Sequence, residues 1–338
     1  MICFFGDDFS VIGGVETTTF NLKKELENRY ELHTDIYSLN KTMDSPEFFY
    51  HLPKKNKIKY FSIIICLYHL HRKGYKQIVT SYFAYNIINI LMSKIFGYKS
   101  IVQEHASSKS YKKSKLLFII CFYRFANNFI VLNEFDKSFY EQKGLHPVKL
   151  SNCYSYRKCY SNAESRNSFL ILSRLDDNKR VHMAIESWIL YKKKGGNFPL
   201  IIVGDGPCFH DLNDKYKDFE IKFIGSSRDI ENFLCNARSL LVTSKLECYP
   251  TVVIEGKYTG TPSLAFNVPS GLKDVINSGV DGVLIEDGNC ELMAKHMLDL
   301  DSDFNLSTMI NNCYNSSEFF NAEKSARQYF ELFKENLS

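Results

Sequence analysis

The chain has 338 residues, of which 45% are apolar, 14% aromatic and 24% charged, with a formal net charge of +4. That length exceeds one ordinary core and fits two domains of roughly 150 residues each, and the apolar content excludes a disordered chain. The longest apolar runs, F-S-I-I-I-C-L-Y (61–68) and L-L-F-I-I-C-F-Y (116–123), fall well short of the ~20 residues of a membrane-spanning helix, so a protein that does not cross a bilayer is expected.

From the N-terminus, I-C-F-F-G (2–6) reads as a strand, followed by a loop with Gly13-Gly14 and a helix carrying Phe20, Leu22 and Leu26. Met1 precedes this strand directly, without the basic segment and long apolar core of a signal peptide. Further strands are predicted at 77–81, 100–104, 128–132 and 148–151, separated by stretches of helical period. A polar segment, 153–167, reads as the linker, with the boundary near 162. The second half repeats the pattern, with strands at 169–173, 199–204, 221–225, 239–244, 262–266 and 282–285. Short apolar runs alternating with helices are the mark of parallel α/β layers. The predicted fold class is α/β, with two doubly wound, Rossmann-like domains over 1–162 and 163–320 and a last helix from about Ala322 to Leu337, within 321–338, able to pack back on the first domain. Ligands of such sheets bind beyond the strand C-termini, so a central cleft is the expected site.

Charge is divided unevenly. Residues 1–165 hold 23 Lys/Arg against 14 Asp/Glu, whereas the remainder hold 19 against 24. Between Lys54 and Arg124 there are 14 basic residues and one acidic residue, Glu104, around the two apolar runs. A basic, aromatic surface of that kind suits an anionic membrane face; nucleic acid, the alternative anionic polymer, is not the expected partner. The ten cysteines show no C-x-x-C spacing, which favours reduced, small buried residues in a cytosolic protein and no zinc site.

The most informative stretch is L-E-C-Y-P-T-V-V-I-E-G (246–256). T-V-V-I alone has β propensity, but it lies between two predicted parallel strands, where a crossover normally contains a helix. Pro250 suits the start of that helix and Gly260 its end. Glu247 then lies in the loop and Glu255 on the helix. Free N–H groups at a helix start favour a phosphate, and a carboxylate one turn on can accept hydrogen bonds from a ribose diol. The pair therefore points to a nucleotide.

The segment S-K-L-E-C-Y-P-T-V-V-I-E-G-K-Y-T-G-T-P (244–262) resembles the S-x-x-E-G-F-P-x-x-x-x-E-A-x-x-x-G-x-P region of the retaining glycosyltransferases of family 4, the glycosyl transferases group 1, whose fold is GT-B. S-R-L-D-D-N-K-R (173–180) is similar to that family's G-R-L-x-x-x-K-G, I-V-G-D-G-P (202–207) to its V-G-D-G-P, G-G-V-E (13–16) to its G-G-x-E, and I-V-Q-E-H (101–105) to the strand ending in its active-site histidine. The resemblance implies that Arg174 and Lys179 neutralise a donor diphosphate, that Gly13 and Gly14 let backbone approach it, and that Glu255 holds the ribose. It implies that Glu247 binds the donor sugar, that backbone N–H groups around Tyr249 and Thr251 complete the cradle, and that His105 reaches the donor sugar or reacting phosphate. Gly204 and Gly206 are expected to shape a turn. Cys248, Ser173, Arg180 and Asp274 depart from the family pattern.

The implied activity is transfer of a sugar from a nucleotide sugar, expected to be UDP-linked, to a glycan hydroxyl with retention and without metal or other cofactor. A lipid-linked acceptor in O-antigen or capsule synthesis, at the inner face of the cytoplasmic membrane, is the expected setting. A nucleotide-sugar epimerase of the same fold and a catalytically silent nucleotide- or glycan-binding subunit are the alternatives.

Overall fold

The computed structural model describes residues 1–7, 14–39, 59–156 and 158–336. The chain divides into two compact units, one made of Met1–Ser155 and Phe320–Ser338, the other of Tyr156–Phe319.

The first unit runs β1 (Ile2–Gly6), α1 (Gly14–Tyr30), β2 (Thr34–Ser38), α2 (Lys59–Arg72), β3 (Gln77–Thr80), α3 (Phe83–Phe96), β4 (Lys99–Glu104), α4 (Lys113–Tyr123), β5 (Asn128–Val131), α5 (Glu134–Glu141) and β6 (Val148–Lys149). Its six strands are parallel in the order β2-β1-β3-β4-β5-β6. Every residue of β1 is buried. Ile2 and Phe4 join one core with Leu22 and Leu26 of α1, while Cys3 and Phe5 join another with Ile63 and Leu67 of α2. A strand covered on both faces needs apolar side chains at successive positions, which is why it reads as a continuous run.

The second unit runs β7 (Ser168–Leu172), α6 (Val181–Lys193), β8 (Leu200–Val203), α7 (Phe209–Tyr216), β9 (Ile221–Gly225), α8 (Ile230–Cys235), β10 (Ala237–Val242), α9 (Thr251–Tyr258), β11 (Ser263–Asn267), α10 (Leu272–Val275), β12 (Gly282–Glu286), α11 (Cys290–Asp299) and α12 (Asp303–Ser317). Its parallel strands are ordered β12-β11-β10-β7-β8-β9. The direction of winding reverses between β7 and β10, the switch point at which a doubly wound sheet leaves a crevice for ligands.

The last helix, α13 (Ala322–Glu335), belongs to the first unit. Its Ala326, Tyr329, Leu332 and Phe333 lie on one face and enter the core of Ile2 and Phe4. Gln103 donates to the Tyr329 hydroxyl at 2.8 Å and Gln77 to the Phe333 carbonyl at 2.8 Å.

Two features differ from the sequence reading. The division falls after Ser155 rather than near 162, because Tyr156 and Ser161 anchor inward on the second unit: Tyr156 donates to Glu255 at 2.7 Å, and Ser161 donates to the Cys235 carbonyl at 2.8 Å. Cys159 and Cys235 form a disulfide across a separation of 76 residues, so the expectation of ten reduced thiols does not hold. Spacing gave no hint of this pair, because its two cysteines lie 76 residues apart. No helix of the described residues is long and apolar enough to cross a membrane.

Candidate active site

The loops leaving β7 and β8 are zipped together. Leu175 N–H donates to the Asp205 carbonyl at 2.9 Å and Ser173 N–H to the Val203 carbonyl at 3.1 Å. The approach is so close that a Cβ on Gly204 would stand 1.8 Å from the Ser173 carbonyl oxygen, and one on Gly206 would stand 2.4 Å from that of Leu175. Both glycines also have positive φ, 141° and 155°, and so serve the turn as the sequence led us to expect. This contact carries Arg174 to the C-terminal edge of the sheet, where its side chain is 70% exposed with Asp176 at 3.7 Å.

The same β7 loop is fastened to the loop after β10. Lys245 N–H donates to the Asn178 carbonyl at 2.7 Å, Asn178 Nδ2 to the Leu246 carbonyl at 3.0 Å, and Thr243 Oγ1 to the Lys179 carbonyl at 3.0 Å. Lys179 and Glu247 therefore meet across the switch point. Lys179 Nζ lies 2.5 Å from Glu247 Oε1, and Ser244 Oγ donates to the same oxygen at 2.6 Å. Arg180, which stands where the family pattern has glycine, caps the start of α6 in the left-handed region at φ 45°, a conformation that costs a residue with a Cβ on the order of 1 kcal/mol. Its guanidinium offsets this by donating to the carbonyls of Thr243 at 2.7 Å and Ser244 at 3.1 Å and by pairing with Asp287. The departure from glycine thus ties α6 to the end of β10.

Context decides T-V-V-I as expected: residues 251–254 open α9, with Pro250 as the cap position. Val253 and Ile254 are buried, as is Tyr249, so the apolar run anchors the helix, whose first turn is closed by the Val253 N–H donating to the Pro250 carbonyl at 3.2 Å. One turn on, Glu255 is half-buried. Burial raises its carboxyl pKa, and the hydrogen bond from Tyr156 opposes that rise. Glu255 lines a cavity of about 240 Å³ with Tyr156, Arg228, Ile230, Leu234 and Tyr258. Tyr156 and Arg228 escaped the sequence reading, because neither belongs to a motif and Tyr156 lies 99 positions from its partner.

In the first unit, Gly14 is the first residue of α1 and is exposed; Gly13 lies outside the described residues. His105 directly follows β4. Its Nε2 is buried and has no hydrogen-bond partner among the described residues, and burial lowers the imidazole to about 4, so the ring is neutral at pH 7. The preceding Glu104 is buried and accepts hydrogen bonds from Tyr111, Tyr123 and Asn86. Burial raises its carboxyl pKa, and these donors oppose the rise. They hold the end of β4 from which His105 projects. Among the described residues, no cluster of three or more His, Cys, Asp or Glu side chains could hold a metal ion.

Residues 155–313 match the family model for glycosyl transferases group 1. The second unit is a group 1 glycosyltransferase domain. This chain is similar to known proteins beyond that domain as well. It is 28% identical over 247 residues, covering 70% of this chain and 68% of the relative, to the GalNAc-alpha-(1->4)-GalNAc-alpha-(1->3)-diNAcBac-PP-undecaprenol alpha-1,4-N-acetyl-D-galactosaminyltransferase of Campylobacter jejuni. It is 24% identical over 315 residues, 86% of this chain and 87% of the relative, to the amylovoran biosynthesis glycosyltransferase AmsD of Erwinia amylovora. Among solved structures, Anabaena HepE in complex with UDP-glucose superimposes with a TM-score of 0.81 at 18% identity, covering 99% of both chains. The apo lipopolysaccharide outer core galactosyltransferase WaaB does so with a TM-score of 0.81 at 17% identity, again over 99% of both. The chain has the GT-B fold.

Proposed function

We propose that the transferase moves a sugar from a UDP-sugar to a hydroxyl of a lipid-linked glycan during cell-surface polysaccharide synthesis, with retention of anomeric configuration and without a metal ion. The observation that carries this reading is the arrangement around α9. Glu255 lines a cavity beside the helix, while Lys179, Glu247 and the exposed Arg174 gather at the switch point of the same sheet.

In this reading the Glu255 carboxylate accepts hydrogen bonds from the ribose hydroxyls. Arg174 and Lys179, with the N–H groups around Tyr249 and Thr251, stabilise the diphosphate as its charge grows on departure. Glu247 turns from Lys179 toward the donor sugar and stabilises positive charge developing at the anomeric carbon. Gly13 and Gly14 are assigned to the diphosphate, and neutral His105 offers its Nε2, unpartnered among the described residues, to the donor sugar. Cations and helix N-termini supply the charge stabilisation that a metal would otherwise provide. The names of the Campylobacter and Erwinia relatives, one specifying a PP-undecaprenol-linked glycan and the other a polysaccharide, support the acceptor class.

The acceptor setting adds an expectation of peripheral attachment to the inner face of the cytoplasmic membrane. Phe61 and Tyr68 of α2 and Leu117 and Phe118 of α4 are exposed, with Lys112 and Lys113 exposed at the start of α4; apolar and cationic side chains in such company favour an anionic bilayer surface. Sedimentation with phosphatidylglycerol vesicles should retain the protein, and failure to sediment removes the membrane claim alone.

The enzymatic reading is tested by incubating the protein with a panel of UDP-sugars, with and without bacterial membrane extract, in the presence of EDTA. Acceptor-dependent product with the donor's anomeric configuration by NMR is expected. Complete conversion of UDP-GlcNAc to an epimer without any acceptor would overturn it.

A further inference from the structure

A second concavity, lined by none of the residues of the Glu255 cavity, lies on the second unit between the segment 158–165 and α12. It has a volume of about 1000 Å³, at the upper end of ligand-binding sites (~300–1,000 Å³). On its helical wall Ser307, Asn311 and Asn315 recur every four residues and so form one polar stripe. All three are exposed, and the Asn311 and Asn315 amides make no hydrogen bond to protein among the described residues. Opposite them Tyr160 is 73% exposed, its ring centroid 4.9 Å from that of Tyr314.

Tyr314 is a fixed support. Its hydroxyl donates to the Cys159 carbonyl at 2.7 Å and accepts from Ser161 N–H at 3.2 Å. Tyr160 thus presents an aromatic face over a hydrogen-bonded ring, beside two amides whose donors and acceptors are unused among the described residues. Among the described residues, the one cationic side chain lining the groove, Lys158, is already engaged: its Nζ lies 2.5 Å from Glu318 Oε1. Among the described residues lining it, a nucleotide or phosphate would find no uncommitted positive charge.

We propose that this groove binds an uncharged oligosaccharide, such as part of the growing glycan, at a site separate from the donor cavity. The electron-rich face of Tyr160 attracts the polarised C–H bonds on the apolar side of a pyranose ring. The Asn311 and Asn315 amides pair with vicinal hydroxyls, each amide offering both a donor and an acceptor. The volume accommodates more than one sugar, which suits a chain rather than a monosaccharide. The proposal draws on the group 1 transferase domain only for the choice of glycan as ligand, and its test needs no turnover.

The test is saturation-transfer NMR on the full chain with neutral oligosaccharides in gluco, galacto, N-acetylgluco and N-acetylgalacto series, and with inorganic phosphate as the charged control. Binding of at least one series in the millimolar range or tighter is expected, with none for phosphate. Tyr160→Ala should weaken it at least tenfold and Asn311→Ala severalfold, while UDP binding by calorimetry and the melting temperature stay unchanged. Absence of binding by every series overturns the proposal. So does binding that survives both Tyr160→Ala and the double variant Asn311→Ala/Asn315→Ala. Loss of UDP turnover with glycan binding intact would instead count against the donor-site reading.

Discussion

Replacing Glu255 by Gln keeps the side-chain volume and an acceptor for the Tyr156 hydroxyl, 2.7 Å away, but removes the charge. In the free protein that charge is a burden, since burial raises the carboxyl pKa above its ordinary 4.5. A raised acid pKa means that the unfolded chain ionises first, so stability falls as pH climbs from about 4.5 through the folded-state value. At pH 7 Glu255→Gln should therefore melt at the same temperature or higher. Nucleotide binding should move the other way. Two ribose hydroxyls bonded to a carboxylate are worth roughly 1.5 kcal/mol each at the low end for charged acceptors, so the loss is about 3 kcal/mol, or on the order of 100-fold in Kd for UDP. Calorimetric titration of UDP beside thermal melts at pH 5 and 7 reads both quantities. A Gln variant that binds UDP as well as the parent, or one that melts markedly lower, would refute the assignment of Glu255 as a binding rather than a structural residue.

Lys179→Met leaves Glu247 with Ser244 alone; for a pair of intermediate exposure the stability cost should be about 2 kcal/mol by urea titration, and UDP affinity should drop about tenfold while uridine affinity does not change. His105, lowered to about 4 by burial, is neutral when folded but charged when unfolded between about pH 4 and 6.5, so it makes stability fall as pH drops through that window; His105→Phe should flatten the melting temperature against pH there. The Cys159–Cys235 bond predicts eight titratable thiols in denaturant without reductant and ten with it. Closing a loop of that length should stabilise the fold by about 4 kcal/mol, measured as the shift in denaturant midpoint on reduction. Gly204→Ala, which drives a Cβ into the Ser173 carbonyl, should cost several kcal/mol and abolish UDP binding because Arg174 loses its support.

The order in which the strands pair was not legible, but most of the strands were, because parallel strands covered on both faces must be apolar at successive positions; I-C-F-F-G and S-L-L-V-T-S announce themselves in that way. β2 did not, since T-D-I-Y-S holds a single aliphatic residue, Ile36, and takes its place by pairing with β1. T-V-V-I was read correctly as helix only by weighing its position against its β propensity. At the candidate site the motifs located Arg174, Lys179, Glu247 and Glu255, but not the bonds among them. The Lys179–Glu247 contact spans 68 positions and arises where the loops after β7 and β10 are laced together, while Tyr156–Glu255 spans 99 and joins the segment after β6 to α9. Arg180 illustrates the same limit: one residue looked like a departure from pattern, and its hydrogen bonds to Thr243 and Ser244 supply the physical reason.

The central claim is donor chemistry at the switch point between β7 and β10, and acceptor-dependent UDP release tests it most directly. With a UDP-sugar panel and a lipid-linked glycan fraction, the parent protein should release UDP from at least one donor only when acceptor is present, and Glu247→Gln should lower kcat at least 100-fold, about 3 kcal/mol of transition-state stabilisation, with UDP affinity reduced less than tenfold. Release that persists unchanged in Glu247→Gln, or no release from any donor by a protein that binds UDP, would contradict it.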